Sequence, residues 1–253
     1  MNKFKLASIE NEIVRTNKFI RDCELVRKEA FIFKDSKFYA TLAYEKALLC
    51  QAWYLQGTSK TEVIALLRQS VCDFIIGLEF GYTTESVEIN NWFYRSLVVN
   101  DLSLAHFLAA LPAEVWPYGE IFPRFQAYWG FAQFRRKYDE ALKWIDFLLD
   151  WCFESDSDKE QSEIEKQLSL LEQNQYHIMN AITIKDEYLL IQYLHERAQL
   201  RTIIPPEGTR YERYQLLDFL TLGLCRIALL NGLDIKINEP SLPLELLFIN
   251  SKA

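Results

Sequence analysis

The sequence predicts an all-α fold, and three observations carry that expectation. Glycine and proline are scarce, 8 and 7 in 253 residues, whereas folds built from strands spend both freely on turns. Apolar residues recur at three- and four-residue spacing instead of alternating. Half of all residues are apolar (50%), which is enough to bury a sizeable core. With no hinge-like linker between the periodic segments, residues 1–253 read as a single multi-helix bundle domain closed by a short extended C-terminal tail.

Each element has a local justification. Asn11 to Phe33 and Phe38 to Gln56 read as helices broken at "KDSK" and "QGTS". In "SKTEVIALLRQSVCDFIIGLEFGY", Ser59 with Glu62 forms a capping box, Val63, Leu66, Leu67, Val71, Phe74, Ile75 and Leu78 keep helical spacing, and Gly81 ends the helix. "NNWFYRSLVVNDLSLAHFLAALP" splits into two short helices from Asn90, with Asn100 or Asp101 as the cap between them and Pro112 closing the second. "PAEVWPYGEIFP" reads as a packed irregular loop, in which Trp116 and Tyr118 are the aromatics most open to solvent. Helices follow over "RFQAYWGFAQFRRK", Tyr138 to Phe153 and Glu160 to Ala181. In the second of these, Ala141, Leu142, Ile145, Leu149 and Cys152 form the expected inner stripe, and Asp139, Glu140, Lys143, Asp146 and Asp150 the outer one. Thr183 with Asp186 opens a helix to Arg201, and Thr209 with Glu212 caps the next. That last helix, "YQLLDFLTLGLCRIALLNG", is apolar on nearly every side and is expected at the centre of the bundle as its most buried element.

Charge and motifs narrow the function classes. The N-terminal segment carries neither a signal peptide nor an anchor, and no run of about 18 apolar residues occurs, so a cytoplasmic protein without a membrane partner is expected. Five widely separated cysteines among apolar neighbours read as reduced core thiols. There is no phosphate-binding glycine loop, paired CxxC, HExxH or GxSxG, so no catalytic residue, cofactor or metal is assigned. His106, His177 and His195 read as structural, His195 on a stripe with Tyr188, Ile191 and Ala198. The net charge of −7 excludes the usual electrostatics of nucleic-acid binding.

That charge is concentrated in one place. Asp139 to Glu172 holds eleven acidic residues against three lysines, a segment charge of −8 that leaves +1 for the rest of the chain. Its middle, "WCFESDSDKEQSEIE", lacks the third ligand, central glycine and closing glutamate of a calcium loop. It reads as a solvated bend between two helices and, beyond that, as part of a docking edge for a basic partner. The residues assigned to that edge are Asp146, Asp150, Glu154, Asp156, Asp158, Glu160 and Glu163. Arg135, Arg136 and Lys137 form a lone basic cluster that complements a helix C-terminus.

The C-terminal stretch "LLDFLTLGLCRIALLNGLDIKINEPSLPLELL" resembles the end of the bacterial immunity protein family numbered forty-nine, and "NNWFYRSLVVNDLSLAHFLAAL" is similar to that family's middle region. The shared positions are Leu216 to Leu230, Gly232, Asp234 to Ile237 and Leu242 to Leu247, with Trp92 and Asp101 leading the middle helices. The resemblance implies an all-helical cytosolic antidote without catalysis, which binds a cognate toxin of a polymorphic or contact-dependent secretion system and blocks its active site or substrate groove. Two other readings stand beside it. "FAQFRRKYDEALKWIDFLL" looks like half of a tetratricopeptide-type repeat and suggests a helical-repeat scaffold for a peptide or protein partner, although a solenoid needs about three copies. An enzyme would need convergent polar groups such as Asp218, Arg226 and His195.

Overall fold

In the computed structural model the described residues are 3–112, 121–154, 163–203 and 217–249. Among them the chain forms ten α-helices and no strand: α1 (Lys3–Ile32), α2 (Ser36–Leu55), α3 (Lys60–Glu79), α4 (Ser86–Val98), α5 (Leu102–Ala109), α6 (Ile121–Phe134), α7 (Tyr138–Glu154), α8 (Glu163–Ile184), α9 (Glu187–Ile203) and α10 (Phe219–Leu230). A 3-10 turn, Leu244–Phe248, closes the chain. The expected all-α architecture is therefore the observed one.

The caps explain most boundaries. Ser59 accepts a hydrogen bond from the Glu62 backbone N–H at 3.3 Å and donates its hydroxyl to the Glu62 carboxylate at 2.7 Å, and Gly81 takes φ +91° just beyond α3. Asp101 caps α5 through the Ser103 N–H at 3.2 Å, while Asn100 makes the preceding left-handed turn at φ +54°. Arg68 of α3 binds the same Asp101 carboxylate at 2.9 Å, which ties this corner to α3. Gly232, at φ +88°, ends α10.

Several boundaries differ from the sequence expectation. Helix α1 begins at Lys3, not Asn11, and α4 at Ser86, not Asn90. Thr183 lies inside α8, bonding back to the Met179 carbonyl at 2.9 Å. Asp186 caps α9 instead, through the Leu189 N–H at 3.0 Å, because Lys185 turns the chain at φ +57°. Helix α10 starts at Phe219 because Asp218 caps it through the Thr221 N–H at 3.0 Å. Residues 113–120 and 204–216 lie outside the described set, and with them Trp116, Tyr118 and the Thr209–Glu212 box.

At the centre, α4 packs on α10, α6 and α5. It buries ten of its 13 residues, against eight of 12 in α10, so the most buried of these two helices is α4, not α10 as expected. Two-sided contact explains the difference: Trp92 stacks on Phe74 of α3 at 4.6 Å, and Phe93 meets Phe131 of α6 edge-on at 4.8 Å. Fully buried Tyr94 slots between Gly130 of α6 and Gly223 of α10, where side-chain-free backbone lets three helices approach.

The outer layers pack as hairpins. Helix α1 lays Ile13, Thr16, Cys23 and Ala30 against α2, and α2 packs along α3. A buried ion cluster joins them: Lys46 contacts Asp73 at 2.8 Å and Glu24 at 3.0 Å, and Arg27 reaches both carboxylates. The tail is part of the core. Leu242, Leu246 and Leu247 are fully buried, and Glu245 pairs with Lys60 at 2.8 Å.

Candidate partner-binding surface

Helix α7 carries the acidic edge. Among the residues whose side chains are described, its buried stripe is Ala141, Ile145 and Leu148; Cys152, also expected inside, lies outside them. Leu142 and Leu149, expected inside, are 46% and 40% exposed. The inner stripe is thus rotated from the sequence reading, on a helix that packs against both α6 and α8. The expected outer residues Asp139, Glu140, Lys143, Asp146 and Asp150 are all exposed. Asp146 and Asp150 are four residues apart and so share one face. Among the described residues, Asp139, Asp146 and Asp150 make no ion pair, while Glu140 contacts Lys137 at 3.3 Å.

The remaining assigned residues divide in two. Glu154 closes α7 and Glu163 opens α8, which brings them to the ends of helices that pack on each other. Asp156, Asp158 and Glu160 lie outside the described residues.

The structure adds an apolar component that the charge count did not reveal. Phe147, 43% exposed, sits between Asp146 and Asp150 in sequence and packs beside Trp144 at 5.7 Å and Phe125 at 5.3 Å. Tyr128 also stacks on Trp144 at 4.7 Å, so α6 and α7 present an aromatic ladder next to the carboxylates. Leu142 and Leu149 are exposed on the other flank of the carboxylates. Unpaired charge around aromatic and leucine side chains is the composition of an interface centre with a charged rim. The signal available in the sequence was the interleaving "DFLLDW", where acids alternate with residues too numerous to be buried on one narrow stripe.

The groups that would serve an enzyme do not converge. His195 is half-exposed and its Nδ1 lies 2.8 Å from Glu239 of the tail; on the same stripe Tyr188 is exposed and Ala198 buried. Arg226 donates to the Asn100 side chain. Asp218 faces Arg197 at 3.0 Å and Arg201 at 2.9 Å. Burial alone would raise the Asp218 pKa, but the two guanidiniums and the Thr221 N–H outweigh it and hold it well below the usual carboxylate range. A cleft of about 130 Å³ opens here, lined by Gln51, Asn91, Arg95, Arg197, Arg201 and Asp218. Among the described residues its lining includes no thiol, histidine or second carboxylate, and Asp218 is committed to two cations and a helix N-terminus.

Burial raises the pKa of Glu88, which accepts from the hydroxyls of Tyr44 and Thr84. Burial pushes the Cys50 and Cys225 thiols up as well, in line with core thiols. Among the described residues no group of three or more His, Cys, Asp or Glu is placed to hold a metal, and no helix is long and apolar enough to cross a membrane. No protein-family model matches the chain, and neither a curated protein nor a solved structure matches it.

Proposed function

We propose that this chain is an immunity protein, which binds a cognate bacterial toxin and neutralises it by covering the toxin's active site or substrate groove, and that the outer face of α7 with the start of α8 is the docking surface. The observation that carries the reading is the exposed face of α7, where Asp139, Asp146 and Asp150 alternate with Leu142, Phe147 and Leu149. Its negative field attracts a basic protein at long range and speeds encounter. Its aromatic and leucine side chains then supply the apolar area on which affinity depends. The absence of turnover and a cytoplasmic site of action belong to the same proposal. The packing of α10 back onto α4, far away in sequence, closes a bundle and gives less support to a repeat scaffold, in which each unit contacts only its neighbours.

Co-expression with the product of the adjacent gene tests this. A stable 1:1 complex and rescue of growth are expected. Asp146→Lys together with Asp150→Lys slows association at low salt and weakens protection while the helical circular dichroism is unchanged. A chain that neither binds nor protects against that product refutes the reading; protection that survives the double reversal at low salt refutes the assigned surface.

A further inference from the structure

Helix α1 presents a face that the fold leaves unused. With Ile13, Thr16, Cys23 and Ala30 turned to α2, the opposite stripe reads Val14, Lys18, Arg21, Leu25, Lys28 and Ile32, every one exposed. Leu25 is 80% and Val14 70% exposed, and among the described residues seven of the 17 exposed large apolar side chains lie on α1 or the turn that ends it. Lys18, Arg21 and Lys28 make no ion pair among the described residues. The stripe therefore alternates apolar residues with uncompensated positive charge. The exposed stripe of α7 alternates leucine with uncompensated negative charge.

The two stripes also match in spacing. Arg21, Leu25 and Lys28 are separated by four residues and then three, and Asp146, Leu142 and Asp139, taken in the opposite direction, are separated the same way. Seven helical residues rise about 10.5 Å, so antiparallel helices keep this register along their contact. It sets Arg21 opposite Asp146, Leu25 opposite Leu142 and Lys28 opposite Asp139, with Lys18 reaching Asp150. The flanking charges are opposite in sign too, Asp22 and Glu29 on α1 against Lys143 on α7.

We propose that this protein associates with a second copy of itself, the basic-apolar stripe of α1 in one copy packing antiparallel on the acidic-leucine stripe of α7 in the other. The occupant is a second copy because both complementary surfaces are on this chain, each with exposed leucine and unpaired charge at the same period. The inference does not depend on the toxin reading, although the two uses of α7 share Asp146 and Asp150.

Sedimentation velocity of the full chain over a wide concentration range, at low and high salt, is the test. Concentration-dependent association that weakens with salt is expected. Lys18→Glu/Arg21→Glu and, separately, Asp146→Lys/Asp150→Lys each weaken self-association by at least about tenfold. Mixing the two variants restores a complex, since each then offers the other a charge-matched pair of stripes. The α7 reversals lie in the C-terminal half of that helix, where lysine does not oppose the helix dipole. A monomer at every concentration, association indifferent to either reversal, or a mixture that stays monomeric overturns the proposal. So does a chain that binds phosphatidylserine vesicles through α1 while remaining monomeric. Lys18→Glu/Arg21→Glu leaves α7 intact, so toxin capture by that variant separates a failure of this inference from a failure of the immunity reading.

Discussion

Replacing Gly223 with alanine sets two effects of opposite sign against each other. Gly223 is inside α10, and a helix-interior glycine-to-alanine change gains about 1 kcal/mol from propensity. The new Cβ, however, would stand 2.6 Å from Tyr94 Cβ, 2.7 Å from its Cδ1 and 2.8 Å from its carbonyl oxygen. Favourable contact needs about 3.5–4.0 Å, and two of these three atoms belong to or adjoin the backbone of α4 and have no rotamer to change. The helices must separate instead, which puts the cost near the upper end of the range for overpacking, about 3 kcal/mol. The net loss is about 2 kcal/mol, or a melting temperature lower by about 4–8 °C for a chain of this size. Thermal melts and urea titrations followed by far-ultraviolet circular dichroism measure it. Gly130→Ala is the internal comparison: its nearest atom is the Tyr94 Oη at 2.6 Å, the far end of a side chain, with Phe93 Cε1 at 3.1 Å. Tyr94→Phe therefore relieves most of the Gly130→Ala loss and none of the Gly223→Ala loss. A Gly223→Ala protein that melts at or above the wild type would refute the close α4–α10 crossing.

Two further outcomes test the buried charges. Asp218→Asn keeps the cap of α10 but removes the carboxylate from buried Arg197, and the loss expected at neutral pH is about 3–5 kcal/mol. Because the folded pKa of Asp218 lies below its unfolded one, this contribution is complete above about pH 4 and is lost as the pH falls toward the folded value. Urea titrations from pH 7 down to 3 should therefore show a gap between wild type and variant that is constant down to about pH 4 and narrows below it; a gap that does not narrow there would contradict the ion-pair assignment. Lys46→Met leaves Asp73 with one of its two cations and destabilises by about 3–5 kcal/mol, whereas Lys46→Met/Asp73→Leu loses less than the sum of the single changes. Strict additivity in that double-mutant cycle would show that the pair is not coupled.

What could be read before the fold was known follows from the range of the interactions involved. Ser59 with Glu62 and Asp101 with Ser103 are hydrogen bonds between residues two or three apart, so the residue types alone announce them. Asp218 shows the limit. It begins α10, yet the apolar run "YQLLDFLTL" continues helical spacing through it, and the arginines that fix it in place come from α9. Leu142 and Leu149 were assigned inward because periodicity determines the width of an apolar stripe but not its phase, and the phase of α7 is decided by α6 and α8. The aromatic ladder of Phe125, Tyr128, Trp144 and Phe147 was invisible for a related reason: its members come from two helices whose pairing no local rule specifies.

By itself the sequence determined that this chain is helical, that its negative charge gathers between Asp139 and Glu172, and where most helices begin and end, since spacing, composition and caps are local properties. Only the tertiary structure decided which face of α7 meets solvent, that Tyr94 lies between two glycines, and that α1 carries an unused basic-apolar stripe. Those features depend on which elements pack together, and long-range packing is selected by shape and burial summed over the whole core, not by any single stretch of residues.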